Sequence, residues 1–305
     1  MVETREKRSK ELEKELKKED NKKKKKKIIK GLILSVVIII LLIVSLFLYM
    51  YFVGTKGIKV REYKVVSDKL PDSFTGFKIV HFSDLYYLST IKEKELNNVV
   101  DKINELKPDL VVFTGDLVDN KKKLDKKDIE ALEKNLGKIE ATIGKYAVKG
   151  DNDYSNTYLT IMEEANFTVI NNSYELIYYK GNTPILLTGI SSCLKKDCDI
   201  NQAFSFDKID NLYTITLVHE PDTTQNILNN KTDLILAGHS LNGQIRLPLI
   251  GGIKKQENAT KYPDSKYKIN DTTLYVSGGL GTYKKELRLF NHPSINLYRL
   301  VKETN

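Results

Sequence analysis

Leu234-Ile235-Leu236-Ala237-Gly238-His239-Ser240-Leu241 is the stretch that decides the fold. Its apolar half reads as a buried strand, and the strand ends by presenting a histidine beside a glycine-rich turn. Two earlier runs end the same way but present carboxylates. Lys78-Ile79-Val80-His81-Phe82-Ser83 leads into Asp84, and Leu110-Val111-Val112-Phe113-Thr114-Gly115 leads into Asp116. Acidic and imidazole side chains gathered at the carboxyl ends of neighbouring strands are the raw material of a metal-assisted hydrolytic site. The same stretch carries a defect for that purpose, because Leu241 offers no donor atom where a further metal-binding side chain is expected.

Between these runs lie helical periods. Leu96, Val99, Val100, Ile103 and Leu106 share one face over 91–106, and Leu132, Leu136 and Ile139 repeat the period over 129–143. Lys107-Pro108-Asp109 closes the first helix and opens the next strand. Tyr146-Ala147-Val148 is a short strand running into Gly150, Tyr158 to Ala165 is a helix, and 167–170 is a strand. After residue 174 the pattern becomes strand-rich, at 176–179, 184–190, 213–218, 274–277 and 295–301. Alternation first and strands later predict an α/β fold, a two-sheet β-sandwich flanked by helices.

The chain has 305 residues and a net charge of +9. Residues 1–30 hold fourteen Lys or Arg against seven Asp or Glu, so seven of the nine excess charges lie there. The remainder is nearly neutral, which argues against a nucleic-acid footprint on the folded part. Residues 31–53 contain no charge, and at about 1.5 Å per helical residue they span a hydrocarbon core of roughly 30 Å. The basic run Lys22 to Lys27 precedes them, whereas only Lys56 and Lys59 follow closely. The expectation is a single-pass cell-membrane protein with 1–30 as a cytoplasmic basic tail and 31–53 as a transmembrane signal-anchor. A stalk follows at 54–62, and the main domain, 63–305, is extracellular. Tyr49, Tyr51 and Phe52 sit at the outer interface. A cleaved signal peptide is the weaker alternative, since the apolar region is long and no small-x-small site follows it. Residues 3–20 alternate in sign and read as a solvated helix or a disordered tail; contact with anionic headgroups is the sharper reading of their lysines.

Cys193 and Cys198 are the only cysteines. Outside the membrane they can close a small disulfide loop, the reading preferred over two unpaired thiols. As a pair they lack the two further ligands of a structural zinc site.

Five motifs follow strands in order: Asp84-Leu85-Tyr86, Gly115-Asp116-Leu117-Val118-Asp119, Gly150-Asp151-Asn152-Asp153, His219 in Val218-His219-Glu220-Pro221-Asp222, and Gly238-His239-Ser240-Leu241. A lone strand-end Asp is more often a turn or cap residue, and a lone His more often an ordinary core or surface residue. Five ligand-capable motifs in sequence order outweigh those readings.

With Gly243-Gln244-Ile245-Arg246-Leu247-Pro248 and Ser277-Gly278-Gly279-Leu280-Gly281-Thr282, these motifs make residues 63–302 resemble the calcineurin-like metallophosphoesterase superfamily, in its membrane-anchored bacterial branch. The resemblance implies two metal ions sharing the aspartate of the second motif. Asp116 is then the bridging carboxylate; Asp151, in place of the family's asparagine, joins His219 and His239 to complete one metal set. The other set keeps Asp84 but has Tyr86 and Leu241 where the family has histidines. Tyr86 is a candidate extra ligand only if its phenolic proton is displaced. Asn152 stands where the family's leaving-group acid, a histidine, is found; an amide donates a hydrogen bond but yields no proton.

The expected cofactor is therefore a divalent metal, Mn, Zn or Fe by donor type. One complete site is expected and a second incomplete one. The expected function is hydrolysis of a phosphate ester or diester at a reduced, mononuclear site. The alternative is a pseudoenzyme that binds a phosphorylated envelope ligand or a protein partner. The implied partners are the lipid bilayer and a phosphorylated small molecule or lipid-linked substrate. Among the remaining candidates, His81 is expected on another face of its strand, Asp119 and Asp153 as turn residues, His292 as a loop residue, and Arg246 either at a phosphate or on the surface.

Overall fold

The computed structural model describes residues 2–153 and 155–303. The chain divides into two compact units, residues 1–49 and 50–305. Helix α1 covers Val2–Phe52. Its charged half is a helix rather than a disordered tail, stitched by i,i+4 pairs such as Lys17–Glu13 at 2.9 Å and Lys24–Asp20 at 2.8 Å. Its apolar half reaches a mean hydropathy of 3.3, and no residue of that window is buried. The helix is long and apolar enough to cross a membrane.

The second unit follows in the order β1 (Lys59–Ser67), β2 (Lys78–Phe82), α2 (Glu93–Glu105), β3 (Leu110–Phe113), α3 (Lys126–Gly137), β4 (Gly144–Ala147), α4 (Asn156–Glu164) and β5 (Thr168–Val169). It continues with β6 (Ser173–Ile177), β7 (Ile185–Gly189), α5 (Ile200–Ala203), β8 (Thr214–Val218), α6 (Thr224–Ile227) and β9 (Leu234–Ala237). A hairpin, β10 (Arg246–Leu247) and β11 (Gly251–Gly252), precedes β12 (Lys266–Ile269), β13 (Thr272–Val276) and β14 (Ser294–Lys302). Two six-stranded sheets result, ordered β1-β14-β2-β3-β4-β5 and β12-β13-β9-β8-β7-β6. Strands β2 to β5 run parallel, as do β7, β8, β9 and β13.

Strands β3 and β9 are apolar throughout because both of their faces are covered. Ile79, Leu110 and Val112 face Leu187, Ile215, Leu217, Leu234 and Leu236 of the other sheet. Their neighbours Val80, Val111 and Phe113 turn outward onto α2, α3 and α4 through Leu96, Val100, Leu132 and Ile161. Ile235 and Ala237 cover the outer face of the second sheet with Ile227 and Ala203. The architecture is the expected mixed α/β pair of sheets between helices. Its consequence is that β2, β3, β4, β8 and β9 all send their carboxyl ends to one edge of the sandwich.

Boundaries moved in two places. β1 begins at Lys59 and pairs with β14 from Ser294 onward, so the stretch expected as a stalk, 54–62, already contributes sheet hydrogen bonds. The second helix ends at Gly137 instead of reaching 143, because Thr142 and Ile143 donate their N–H groups to Pro108 and Asp109 (3.3 and 2.8 Å) and are drawn into the approach to β4.

Phe77 is fully buried between the sheets. Phe77→Ala should cost about 3–5 kcal/mol in unfolding free energy, measured by urea titration in detergent. Tyr178→Ala, at a position 51% exposed, should stay within about 0.5 kcal/mol of the parent chain.

Candidate metal centre

Each strand end delivers one side chain to the shared edge. Asp116 follows β3, Asp151 follows β4, His219 follows β8 and His239 follows β9. Ligand atoms from these four residues lie within 4.8 Å of one another. His219 Nε2 is 3.4 Å from Asp116 Oδ2 and 3.3 Å from Asp151 Oδ1. His239 Nδ1 is 3.2 Å from both Asp151 Oδ1 and His219 Nε2. A four-coordinate ion with bonds of about 2.0–2.2 Å sets its ligands roughly 3.3–3.6 Å apart, so this spacing matches a first-row divalent ion.

Hydrogen bonding behind the rings sets their tautomers. The Thr114 carbonyl can only accept, so His219 Nδ1 donates to it at 2.6 Å. The Glu257 carbonyl takes the Nε2 proton of His239 at 2.8 Å in the same way. In the neutral rings, His219 Nε2 and His239 Nδ1 therefore aim lone pairs at each other and at two carboxylates. Among the described residues, no hydrogen bond satisfies Asp151 Oδ1, although it is buried. Converging lone pairs and an orphaned carboxylate oxygen are what a bound cation would satisfy, and the orienting carbonyls are the usual supports of metal-binding histidines. The donor set fits a metal.

The electrostatics agree. Burial alone would lower the His219 imidazole, yet the carboxylates of Asp116, Asp151 and Asp84 raise it well above its ordinary value. Burial likewise opposes ionisation of Asp151, and His219 and His239 hold it below the usual carboxylate range.

The local backbone is bent to make this possible. Asp84, Tyr86, Asp116, His239 and Leu241 all have positive φ, between 43° and 65°. Each such turn costs about 1–3 kcal/mol, and such residues cluster where side chains are aimed at a site. Gly115 (φ 91°) and Gly150 are glycines for a reason of space. A Cβ on Gly115 would fall 3.0 Å from His219 Nδ1, and one on Gly150 would fall 2.7 Å from the Asp116 nitrogen. Asp153 locks the Asp116 turn by accepting N–H bonds from Asp116 (2.6 Å), Leu117 (3.0 Å) and Gly150 (2.9 Å). Burial, then Asp116, push its carboxyl up to about 7.

The remaining expected site residues are placed differently. Asp84 falls outside the four-atom set. It accepts the His239 backbone N–H at 3.0 Å and the Ser83 hydroxyl at 2.5 Å, and burial raises its carboxyl to about 6. Tyr86 is buried and donates its hydroxyl to Asp116 Oδ2 at 2.5 Å. Burial, followed by Asp116 and Asp84, raises its phenol well above its ordinary value, and the group stands here as a hydrogen-bond donor to Asp116. Asn152 donates its backbone N–H to Asp116 Oδ1 (2.9 Å) and its amide to Asp116 Oδ2 (2.8 Å). Its side-chain oxygen accepts from the Asn120 nitrogen at 3.3 Å. Leu241 is 1% exposed, with its methyl against Gly279.

His81 lies in the core, bonded to Thr114 Oγ1 at 2.8 Å, and burial lowers it to about 3. Thr114 is the residue whose carbonyl holds His219, so His81 stands one residue behind the site. Arg246 pairs with Asp264 at 2.7 Å, Asp119 caps its own turn through the Lys121 nitrogen at 3.0 Å, and His292 is half-buried with its Nδ1 3.3 Å from the Lys56 carbonyl. Cys193 and Cys198 are joined in a disulfide, and Leu194 between them lines a cavity of about 360 Å³ beside Asp151 and His239.

Arg288 was not anticipated. It is fully buried, and its guanidinium donates to the carbonyls of Gly278, Gly279, Gly281 and Asn291. Burial lowers it to about 9 against the pull of Asp84. It anchors the 277–282 turn, which binds the Asp84 carbonyl through Gly281 at 2.8 Å. Lys284-Lys285-Glu286 beside it reads as a solvated charge run, which hid it in the sequence.

The chain belongs to the calcineurin-like phosphoesterases, whose family model matches residues 77–296. It is 32% identical over 84% of its length to the Bacillus subtilis protein named uncharacterized metallophosphoesterase YkuE, 90% of which is covered. It is 26% identical over 77% of its length to the Chlamydia muridarum UDP-2,3-diacylglucosamine pyrophosphatase LpxG, covering 88% of that protein. A Danio rerio transmembrane protein with metallophosphoesterase domain is 25% identical over 78% of this chain, which spans 56% of that relative. The family is metal-dependent, and the four-residue cluster is this chain's candidate site.

His239→Ala removes one of the four donors and uncovers Asp151. Its divalent metal content, read by elemental analysis after dialysis, should fall at least about tenfold below that of the unsubstituted chain.

Proposed function

We propose that this chain is a membrane-anchored phosphoesterase with one metal, held by Asp116, Asp151, His219 and His239, that cleaves a phosphorylated, lipid-linked substrate. The observation that carries the reading is the convergence of four ligand atoms whose tautomers are preset toward one point. A divalent ion bound there would polarise a phosphoryl oxygen and acidify a water. The protein's own groups do the rest. Tyr86 and Asn152 hold Asp116 by hydrogen bonds on the side where a second cation would otherwise lie. Leu241 fills the space of a second imidazole with carbon, and Asp84 spends its oxygens on Ser83 and the His239 backbone.

Asn152 cannot give a proton to a departing alkoxide. A leaving group that departs as a stable anion, such as a phosphate monoester released from a phosphoric anhydride, needs no such acid. The substrate class supported is therefore an anhydride or an activated ester rather than an alkyl ester. The LpxG relative is named a pyrophosphatase of a diacylated sugar nucleotide, which is the same chemistry on a lipid. The second reading, a binding protein without turnover, is favoured by the same replacements at 86, 152 and 241.

Purified full-length chain should carry about one divalent ion and hydrolyse a diphosphate diester and an aryl phosphodiester, while an alkyl phosphodiester is turned over at least about 10²-fold more slowly. Chelation should abolish turnover. Metal-loaded protein inert to all three substrates would select the binding reading.

The N-terminal helix would be the anchor, with its lysine-rich half in the cytoplasm and residues 54–305 outside. Protease added to intact cells should then digest the 54–305 region and spare the tail. Protection of that region in intact cells, with the tail cleaved instead, is the result that excludes this orientation.

A further inference from the structure

The β10–β11 hairpin carries an apolar tip with nothing over it. Leu249 is 107% exposed, Ile250 74% and Ile253 61%, and Phe290, at 62%, faces the same surface depression as Pro248, Leu249 and Ile250. Single exposed apolar side chains are common and need no explanation. A contiguous set at one loop tip marks a contact surface.

Its place in the fold says what it contacts. Arg246 donates its N–H to the Leu289 carbonyl at 2.9 Å, and Ile245 bridges Leu289, so strip 288–290 and the hairpin move as one piece. Arg288, in the same strip, donates its backbone N–H to the carbonyl of Met50 at 3.1 Å. Met50 lies in the last turn of the apolar helix, where Phe52 is 63% exposed. The apolar tip is thus linked by backbone bonds to Met50, the residue at which the second unit begins, directly after the apolar stretch in the sequence.

The hairpin is also tied to the metal centre. Its outgoing strand continues through Ile253-Lys254-Lys255 to Gln256 and Glu257. The Glu257 carbonyl fixes the His239 ring, and the Gln256 amide donates to the His239 carbonyl. The cavity beside His239 is lined on this side by Ile253 and by Lys254, Lys255, Lys284 and Lys285, four exposed lysines against Glu257 and Glu286. An apolar tip flanked by basic side chains is the composition of an interfacial membrane contact with anionic headgroups.

We propose that Leu249, Ile250 and Phe290 insert into the bilayer leaflet on the domain's side and seat the His239 cavity at headgroup level. Phosphates of lipids in that leaflet then meet the lysine rim without leaving the membrane. The proposal rests on the reading of residues 31–53 as a membrane span, and its test separates the two.

The chain has no tryptophan, so each single substitution creates a sole tryptophan that can be excited selectively over the tyrosines. Full-length Phe47→Trp, Ile250→Trp and Tyr178→Trp are placed in nanodiscs of phosphatidylcholine and phosphatidylglycerol, with and without brominated acyl chains. Phe47 reports the span, and Tyr178, just past the end of β6 and away from the metal edge, is the aqueous control. An apolar contact seated about 5–10 Å into the interface should be quenched by bromine about twofold or more at 250, as at 47, with 178 unchanged. Quenching at 47 with none at 250 overturns the inserted tip while the anchor stands. No quenching at 47 overturns the anchor reading on which the tip depends. Blue-shifted but unquenched emission at 250, with two chains per disc by mass, would assign the patch to a second copy of the chain and likewise overturn the proposal.

Discussion

Four lone-pair-bearing atoms within 4.8 Å are the constraint around which the fold is arranged. Two carboxylates and two imidazoles that close repel one another or compete for one proton unless a cation joins them. The protein accepts this crowding by several devices at once. Parallel strands from two sheets end at one edge, five residues adopt left-handed backbone turns, and glycines at 115 and 150 let chains approach where a methyl group would collide. Backbone carbonyls of Thr114 and Glu257 then choose which ring nitrogen is left bare. The covering helices and the core between the sheets hold these strand ends still.

Beside this set, neutral groups surround Asp116. Tyr86 donates a hydrogen bond to Asp116 Oδ2, Asn152 adds another, and Leu241 is buried nearby with only carbon in its side chain. Asp84 remains charged enough to matter but is bound to Ser83 and the His239 nitrogen, with the guanidinium of Arg288 nearby. The neutral donors Tyr86 and Asn152 keep the Asp116 carboxylate oriented toward His219.

Much of this was legible in the chain because the signals are local. The runs at 79–82, apolar apart from His81, and at 110–113 and 234–237 are strands that are buried on both faces, and each is followed within a few residues by a turn carrying a donor. The uncharged stretch 31–53 is a helix because nothing in it breaks one and its backbone bonds close on themselves. The separation of Cys193 and Cys198 permits the short disulfide loop that the structure contains. Residue identity at 86, 152 and 241 supplies a phenol, an amide and an alkyl group, none of them an imidazole.

Tertiary structure decided what those residues do instead. Asp84 is one strand from Asp116, yet its carboxylate is taken by a backbone N–H brought from residue 239, a contact across 155 positions that no local pattern encodes. Arg288 looks like part of a solvated run and is buried under a ring of carbonyls, because the 277–282 turn needs a cationic hub. The tautomers of His219 and His239 depend on carbonyls 105 and 18 residues away. Composition and period settle which segments are strands, helices and span. Which oxygen faces which nitrogen is settled only when sheets pack, since hydrogen bonds are directional and short-ranged whereas apolar burial is neither.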